Sequence, residues 1–162
     1  LLGFIFFIYQ LYLIFKTKVR KQKDIYYKYI VFSIINFIIA LVLVCFYFVL
    51  SNDYLLFISG FIFLLGFLTP IITAHLYKII PFLVWFHRFS SLVGKQKVPM
   101  LADMVPVKSS DFGFAFYLLG FILSLIAFIF SSDILFKSAV SFLFVGTSFI
   151  VKDVFYIINF KG

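Results

Sequence analysis

Charged residues are scarce in this chain, and glutamate is absent. Only 12% of the 162 residues are charged, and all six acids are aspartate. Histidine occurs twice and cysteine once. A zinc site needs three or four ligands, and no such group stands together in the sequence. No pair of acids shares an apolar segment, and there is no glycine-rich phosphate loop. We therefore predict no metal site, no catalytic residues and no catalytic activity by this chain alone.

The single cysteine and the start of the chain carry further information. Cys45 lies in an apolar run and has no partner for an intrachain disulfide, so we interpret it as a packing or lipid-facing residue. The chain opens on Leu1 inside an apolar segment, without the basic flank or cleavage site of a signal peptide. We expect Leu1 to lie within a helix whose beginning is missing, and the chain to be part of a longer protein or complex.

Apolar residues dominate the sequence. They make up 65% of it, and the mean hydropathy is +1.19. A soluble domain must cover its outside with polar residues, whereas lipid solvates an apolar surface. The apolar runs are continuous, which favours helices over membrane strands. The prediction is an all-α integral membrane helix bundle with about five transmembrane helices. The predicted spans are 1–15, 29–50, 54–77, 112–130 and 134–160, with an inner interfacial helix and loop at 80–111.

Basic residues flank the spans and give the chain a formal net charge of +8. They cluster at alternate connections, so we expect contact with lipid headgroups and no nucleic-acid partner. Positive charge is retained in the cytoplasm, which predicts an outer N-terminus and a cytoplasmic C-terminus. The residues expected to meet anionic headgroups or a partner subunit are Arg20, Lys21, Lys95 and Lys97.

A weak repeat emerges when the chain is shifted by 80 residues. Each copy has an apolar helix, a tight Ser-x-Asp turn and a second helix with a glycine. The serine or aspartate is expected to cap the returning helix. Both copies run in the same direction, which indicates a parallel two-helix repeat; chance agreement in so apolar a sequence is the alternative. The matching positions are Ser51, Asp53 and Gly66 in one copy and Ser131, Asp133 and Gly146 in the other.

Small and hydroxyl residues mark one face of the third predicted span. Gly66, Thr69 and Thr73 recur at helical spacing. Pro70, beside them, removes a backbone hydrogen bond and predicts a kink. Such a face either lines a transport path or packs against another helix. In the fifth span, Ser141 and Ser148 share a face that is open to the same two interpretations.

The fourth predicted span carries a stripe of small residues at helical spacing, which is a helix-packing signal. In the fifth span, Lys152 and Asp153 lie about 28 Å from the Ser-x-Asp turn at 1.5 Å per residue. At that depth we expect charged side chains to snorkel to the membrane surface. The small-residue stripe of the fourth predicted span consists of Gly113, Gly120, Ser124 and Ala127.

Both histidines are candidate cofactor ligands. His75 lies about 33 Å along the helix that begins near Asp53, at the inner boundary of the hydrocarbon. Haem takes one or two histidine ligands, so His75 is interpreted either as an axial haem ligand or as an interfacial residue at headgroup depth. His87 is a second candidate, about 120° away on a continuous helix, and Pro81 is expected to interrupt that helix.

One stretch of the chain resembles a known group of proteins. The segment HLYKIIPFLVWFHR (75–88), followed by VGK (93–95) and VP (98–99), resembles the C-terminal part of poorly characterised bacterial proteins that are similar to haem-copper oxidase subunit I. The resemblance implies a many-helix protein of an energy-transducing membrane, here the bacterial cytoplasmic membrane, with haem as the cofactor. It carries over to His75 and His87 only, since this sequence lacks the several histidines of a haem–copper centre.

Three functions are compatible with these observations. The first hypothesis is an integral membrane component of a respiratory or haem-associated assembly, in which the chain is largely scaffold. The second is a transporter or channel module with a path along Gly66, Thr69 and Thr73. The third is a purely structural membrane subunit. The expected partners are the lipid bilayer and other membrane subunits or a missing N-terminal region.

Overall fold

The computed structural model describes residues 24–160 and six separate positions before them. Those six positions are all helical, and they are Gly3, Phe6, Tyr9, Gln10, Leu13 and Lys16. Most of the predicted span 1–15 lies outside the described residues, as do Arg20 and Lys21. The described fold is therefore built from the four later spans.

Helices form nearly all of the described fold. The second helical segment is one continuous rod of 40 residues, from Asp53 to Leu92. A π-helical stretch, Ile62–Leu68, interrupts its regular α-helical hydrogen bonding. The α-helices in chain order are α1 (Ile25–Leu50), α2 (Asp53–Phe61), α3 (Thr69–Phe89), α4 (Val107–Phe130) and α5 (Asp133–Ile158), and short 3₁₀ turns lie at Ser90–Leu92 and Leu101–Met104.

Four helical segments are long and apolar enough to cross a membrane. Large apolar side chains cover their outer surface, among them Phe48 at 77% exposure and Phe144 at 72%. Such a surface is stable in lipid and not in water. The chain is a membrane protein with a helical-bundle fold.

The 40-residue rod from Asp53 to Leu92 is longer than the sequence predicts. A separate interfacial helix is expected from residue 80, whereas α3 continues through Pro81 to Phe89. Proline costs one backbone hydrogen bond, yet Pro81 is buried and the helix continues past it. At 1.5 Å per residue the 40-residue rod is about 60 Å long, against a hydrocarbon thickness of about 30 Å. Its second half therefore extends past the apolar layer or lies strongly inclined.

Two equivalent turns connect the helices at one end of the bundle, here named the turn end. Ser51 and Ser131 close α1 and α4 in the left-handed conformation, with φ of 49° and 47°. The next residue in each copy, Asn52 or Ser132, caps the following helix through its side chain. The middle residue of Ser-x-Asp is thus the cap, while the serine ends the preceding helix. The two predicted repeat units share this turn geometry.

Glycines allow close helix contact inside each repeat unit. A Cβ atom on Gly66 would lie 2.8 Å from Cβ of Asn36 in α1. A Cβ atom on Gly146 would lie 2.7 Å from the backbone nitrogen of Tyr117 in α4. Both distances are too short for a real Cβ contact, so each position needs glycine to keep the helices at this separation.

The π-helical stretch ends two residues before Pro70, where the sequence predicts a kink. In a π-helix the carbonyl of Leu65 would accept from the N–H of residue 70, and proline has none. The hydroxyl of Tyr117 in α4 donates to that carbonyl instead, at 2.6 Å. The side chain of Thr69 donates to the carbonyl of Leu64 at 2.9 Å. The Tyr117 side chain therefore supplies the donor that Pro70 cannot give to the Leu65 carbonyl, while the Leu64 carbonyl keeps the backbone N–H of Thr69 and gains a second donor.

The opposite end of the bundle, here named the loop end, is held by polar contacts. Lys28 pairs with Asp111 and Lys78 pairs with Asp24, each at 2.7 Å. These ion pairs join α1 to α4 and α3 to the cap of α1. Two further bonds anchor the connection and the C-terminal segment: Trp85 Nε1 donates to the carbonyl of Pro99 at 2.9 Å, and Arg88 donates to the carbonyl of Phe160 at 2.7 Å.

Candidate functional site

A buried polar cluster lies in the bundle near the loop end. Asp153 of α5 has no exposed surface. Its Oδ2 atom accepts a hydrogen bond of 2.8 Å from the hydroxyl of Tyr77 in α3. Its Oδ1 atom has no hydrogen-bond partner among the described residues. The expectation that Asp153 snorkels to the surface is therefore wrong, while its neighbour Lys152 is exposed as expected.

Tyr29 of α1 completes this cluster. Its side chain is fully buried, and its hydroxyl likewise finds no partner in the described part of the chain. The ring stacks with that of Tyr77 at a centroid distance of 6.2 Å and meets Tyr117 at 6.5 Å. Tyr77 therefore contacts both Tyr29 and Asp153. Four helices thus contribute one polar side chain each: Tyr29, Tyr77, Tyr117 and Asp153.

The cluster is energetically unusual for a bundle interior. Taking a carboxylate out of water costs several kcal/mol, and one hydrogen bond to a charged group contributes about 1.5–3 kcal/mol. An unpaired buried acceptor adds a further cost of about 1–3 kcal/mol. Residues of this kind inside membrane segments mark functional sites more often than structural ones. The Asp153 site is therefore the strongest candidate for function within the described bundle.

Sequence analysis missed Asp153 and its tyrosine partners, although a signal was present. Ala139, Gly146 and Asp153 recur every seven residues in α5 and all three are buried. Tyr77 lies four residues past Thr73, on the same buried face of α3. Tyr117 is buried on the same face of α4 as Gly113 and Gly120 of the small-residue stripe. Ala139 and Gly146 are seven residues apart, and the same spacing reaches Asp153, so the pattern predicts that this acid is buried.

His75 lies on the outside of the bundle. Its Nδ1–H donates to the carbonyl of Ile71 at 2.7 Å, so Nε2 is the ring nitrogen that remains for an external ligand. The Tyr26 ring meets it edge-on at 5.9 Å. The ammonium of Lys78, three residues along the helix, lies 5.2 Å from the centre of the same Tyr26 ring. His75 therefore belongs to a surface cluster near the loop end.

His87 has a similar local geometry. Its side chain is exposed, and its Nδ1–H donates to the carbonyl of Leu83 at 2.8 Å. The carbonyl bond fixes the tautomer that leaves Nε2 as the ligand atom, which is the arrangement of most metal-bound histidines. The donor chemistry of both residues fits an axial haem ligand. Within the described segments, no three His, Cys, Asp or Glu residues come together as a metal site.

The predicted path residues of the third span are packed in this structure. Gly66 contacts Asn36 and Phe121, and Thr73 is 5% exposed with its hydroxyl donating to the carbonyl of Thr69. The two serines of the fifth span, Ser141 and Ser148, lie on its exposed face and bond to carbonyls of their own helix. These five residues therefore do not share one surface.

The small-residue stripe of α4 lies at its contact with α5. A Cβ atom on Gly120 would be 2.7 Å from the backbone nitrogen of Leu143, and one on Gly113 would be 2.9 Å from Cβ of Phe149. Ser124 and Ala127 are buried on the same face. The stripe forms the tightest helix contact of the described bundle.

The basic residues of the long connection are exposed. Lys95 and Lys97 lie in the segment between α3 and α4 and project from the loop end. Arg20 and Lys21 lie outside the described residues. The loop itself is anchored to the bundle, because Met104 is fully buried in the same apolar cluster as Tyr29 and Tyr77.

An apolar groove lies between α1 and α2, toward the turn end. Its lining includes Phe37, Ala40 and Phe63, and Ser59 is the polar residue among the lining side chains. The hydroxyl of Ser59 already donates to the carbonyl of Ala40. The groove offers no ligand for a haem or a metal ion.

Comparison with models of known protein families, with curated proteins and with solved structures finds no match to this chain.

Proposed function

We propose that the chain is an integral membrane component of a respiratory or haem-associated assembly, in which it acts mainly as scaffold. The observation that carries this proposal is the geometry of His75: an exposed imidazole whose Nδ1–H is held by the Ile71 carbonyl, leaving Nε2 for an outside ligand. Because His75 lies on the bundle surface, the remaining contacts of a haem would come from other subunits or from the segment before α1.

Two features of the surface around His75 support this proposal. The Tyr26 ring packs against the imidazole and limits its rotation. Lys78, three residues further on, is paired with Asp24 at 2.7 Å, and its ammonium lies over the same Tyr26 ring, so the ring beside His75 is held from both sides. When bound, the haem supplies one-electron chemistry or binding of a small gaseous ligand; the chain's own residues ligate and orient it.

The membrane setting of the proposal is the bacterial cytoplasmic membrane, with the loop end in the cytoplasm. Its support is the charge pattern: the exposed Lys95 and Lys97 lie at the loop end, and the turns at Ser51 and Ser131 hold no basic residue. Lys and Arg are enriched in cytoplasmic connections. The described C-terminal segment, which ends α5 at the loop end, is then cytoplasmic as well.

Absorption spectra test the haem proposal. The protein is purified in mild detergent with the subunits that accompany it, and spectra are taken oxidised and dithionite-reduced. We expect a Soret band with reduced α and β bands, which His75→Ala removes or shifts. His87→Ala tests the second candidate ligand, since His87 is also exposed and makes the same kind of carbonyl bond; a band lost only in His87→Ala would assign the ligand to His87. Bands that are absent, or unchanged in His75→Ala, would overturn the role of His75.

A transporter or channel module is the second candidate function, and the buried carboxyl of Asp153 is the observation in its favour. A path along Gly66, Thr69 and Thr73 would require α3 to separate from its neighbours, since Gly66 now contacts Asn36. Flux of protons or solute into liposomes, reduced by Thr73→Leu, would support this candidate. No bands and no flux, with stable co-purification of other subunits, would favour a structural subunit.

A further inference from the structure

The Asp153 cluster has the composition of a site that holds a proton. It holds one carboxyl and the hydroxyls of Tyr77 and Tyr29, beside Tyr117, whose hydroxyl donates to the Leu65 carbonyl. Two of its atoms lack a partner within the described chain: Oδ1 of Asp153 and the hydroxyl of Tyr29. A protonated carboxyl is a hydrogen-bond donor, and a phenolic oxygen accepts. The Tyr29 hydroxyl also keeps an unused donor, so the cluster does not lack one; a proton on the carboxyl instead removes the buried negative charge and makes the carboxyl a donor too.

The position of the cluster provides access from one side. Tyr29 directly follows Lys28, and Tyr77 directly precedes Lys78. Both lysines form half-exposed ion pairs at the loop end, with Asp111 and Asp24. The turn end is remote, since Asp153 lies 20 residues or about 30 Å from the start of α5. Water at the loop end is thus the nearest proton source.

The charged and titratable groups around Asp153 are few. Tyr77 of α3 bonds to it, the Tyr29 ring of α1 stacks on Tyr77, and Tyr117 of α4 lies next to Tyr29. On its own helix Lys152 is exposed, with its ammonium over the Phe149 ring. The buried apolar residues Ile150 and Ile157 lie one turn away on either side. Within the described region, the ion pairs of the basic residues are with Asp111 and Asp24 and not with this carboxyl.

A proton suits this cluster better than a metal ion. Hard cations such as Ca²⁺ and Mg²⁺ take about six or more oxygen ligands, often from several carboxylates. The cluster has one carboxyl, and the part of the chain that the structure describes holds no grouping of three or more metal-binding residues. The Tyr77 hydroxyl already uses its proton to bond Asp153.

We propose that Asp153, together with Tyr77 and Tyr29, forms a reversible proton-binding site inside the bundle that exchanges with water at the loop end. The site is independent of the haem proposal, because His75 lies on the outer surface and Asp153 in the interior. Its use would be to take up a proton inside the bundle and to release it again at the loop end.

Infrared difference spectroscopy on the full chain in lipid vesicles tests the proposal. Spectra at acid and alkaline pH are subtracted, in buffers that keep the sodium concentration constant. We expect a carboxylic-acid C=O band that shifts in D₂O and is lost in Asp153→Asn. Asp111→Asn is the matched control, because Asp111 is a half-exposed acid in an ion pair, and it should keep the band. Circular dichroism checks that each variant remains helical.

Tyr77→Phe provides a second variant that retains the acid. It removes the donor to Oδ2, so the C=O band should move to higher frequency without being lost. If Asp153→Asn does not fold, this shift identifies the band. The proposal is overturned if neither variant changes the pH-dependent carboxyl signal. It is also overturned if the band responds to sodium at constant pH and not to pH, because the site would then hold a metal cation.

Discussion

The hydroxyl of Tyr77 donates a 2.8 Å hydrogen bond to Oδ2 of Asp153, which joins α3 to α5 across 76 residues of chain. Both side chains are buried near the loop end. The bond links the two repeat units, because α3 belongs to the first unit and α5 to the second. It therefore has consequences for stability as well as for the proposed proton site.

Removing this donor should destabilise the bundle. Tyr77→Phe leaves the acid buried without a partner, and we expect a loss of about 1–3 kcal/mol in the free energy of unfolding. Tyr156→Phe is the control, since Tyr156 is 51% exposed. The measurement is unfolding in mixed micelles followed by circular dichroism. Equal stability of the two variants would show that the bond contributes nothing.

Glycine substitutions test the contact between α4 and α5. Gly120→Ala places a methyl group 2.7 Å from the Leu143 nitrogen and 2.9 Å from the Ala139 carbonyl oxygen. Overpacking of this kind costs about 1–3 kcal/mol. Gly60→Ala is the control, because its new Cβ meets nothing within 4 Å, and it should gain about 0.5–1 kcal/mol. A thermal scan in detergent that ranks Gly120→Ala at or above wild type would contradict this packing.

The bond between Tyr117 and the Leu65 carbonyl should depend on Pro70. Tyr117→Phe is expected to cost about 0.5–1.5 kcal/mol, because the carbonyl then has no donor. In a Pro70→Ala background the new N–H of residue 70 can bond the same carbonyl, so the cost should fall. A double-mutant cycle on unfolding free energies measures the difference. Equal costs in both backgrounds would mean that Pro70 does not free this carbonyl.

Replacing serine by glycine should have opposite effects in a left-handed turn and in the middle of a helix. Ser131 has φ of 47°, where glycine is unstrained, so Ser131→Gly should stabilise the protein by about 1 kcal/mol. Ser141→Gly, in the exposed middle of α5, should destabilise it by about 0.5–1 kcal/mol. Melting temperatures of the two variants provide the measurement. Shifts of the same sign would show that the turn geometry is not strained.

Much of the fold follows from the sequence because lipid selects continuous apolar helices. The spans from 29, 54, 112 and 134 correspond to helices in the structure, and their turns lie where Ser-x-Asp recurs. The end of the second span could not be placed, because Pro81 suggests a break. In the structure Pro81 is buried inside a continuous helix, and local sequence does not encode that burial.

The candidate site was harder to predict because helix rotation decides which side chains face inward. Lys152 and Asp153 are adjacent, yet one is exposed and the other has no exposed surface. The rotation of α5 is set by the contacts of Gly146 with Tyr117 and of Ala139 with Gly120. Those contacts are known only once the helices are assembled. The histidines were recognised by residue type, but their exposure also depended on the assembled bundle.

Residue accessibility in membranes tests the transmembrane arrangement on which both proposals depend. Single cysteines are placed at Ser132 of the turn end and Lys97 of the loop end, in a Cys45→Ala background, and cells are treated with a membrane-impermeant maleimide. The arrangement predicts that Ser132→Cys is labelled in intact cells and Lys97→Cys only after permeabilisation. Labelling of both positions from the same side would contradict a bundle that crosses the membrane between them, and the reverse pattern would contradict the cytoplasmic loop end.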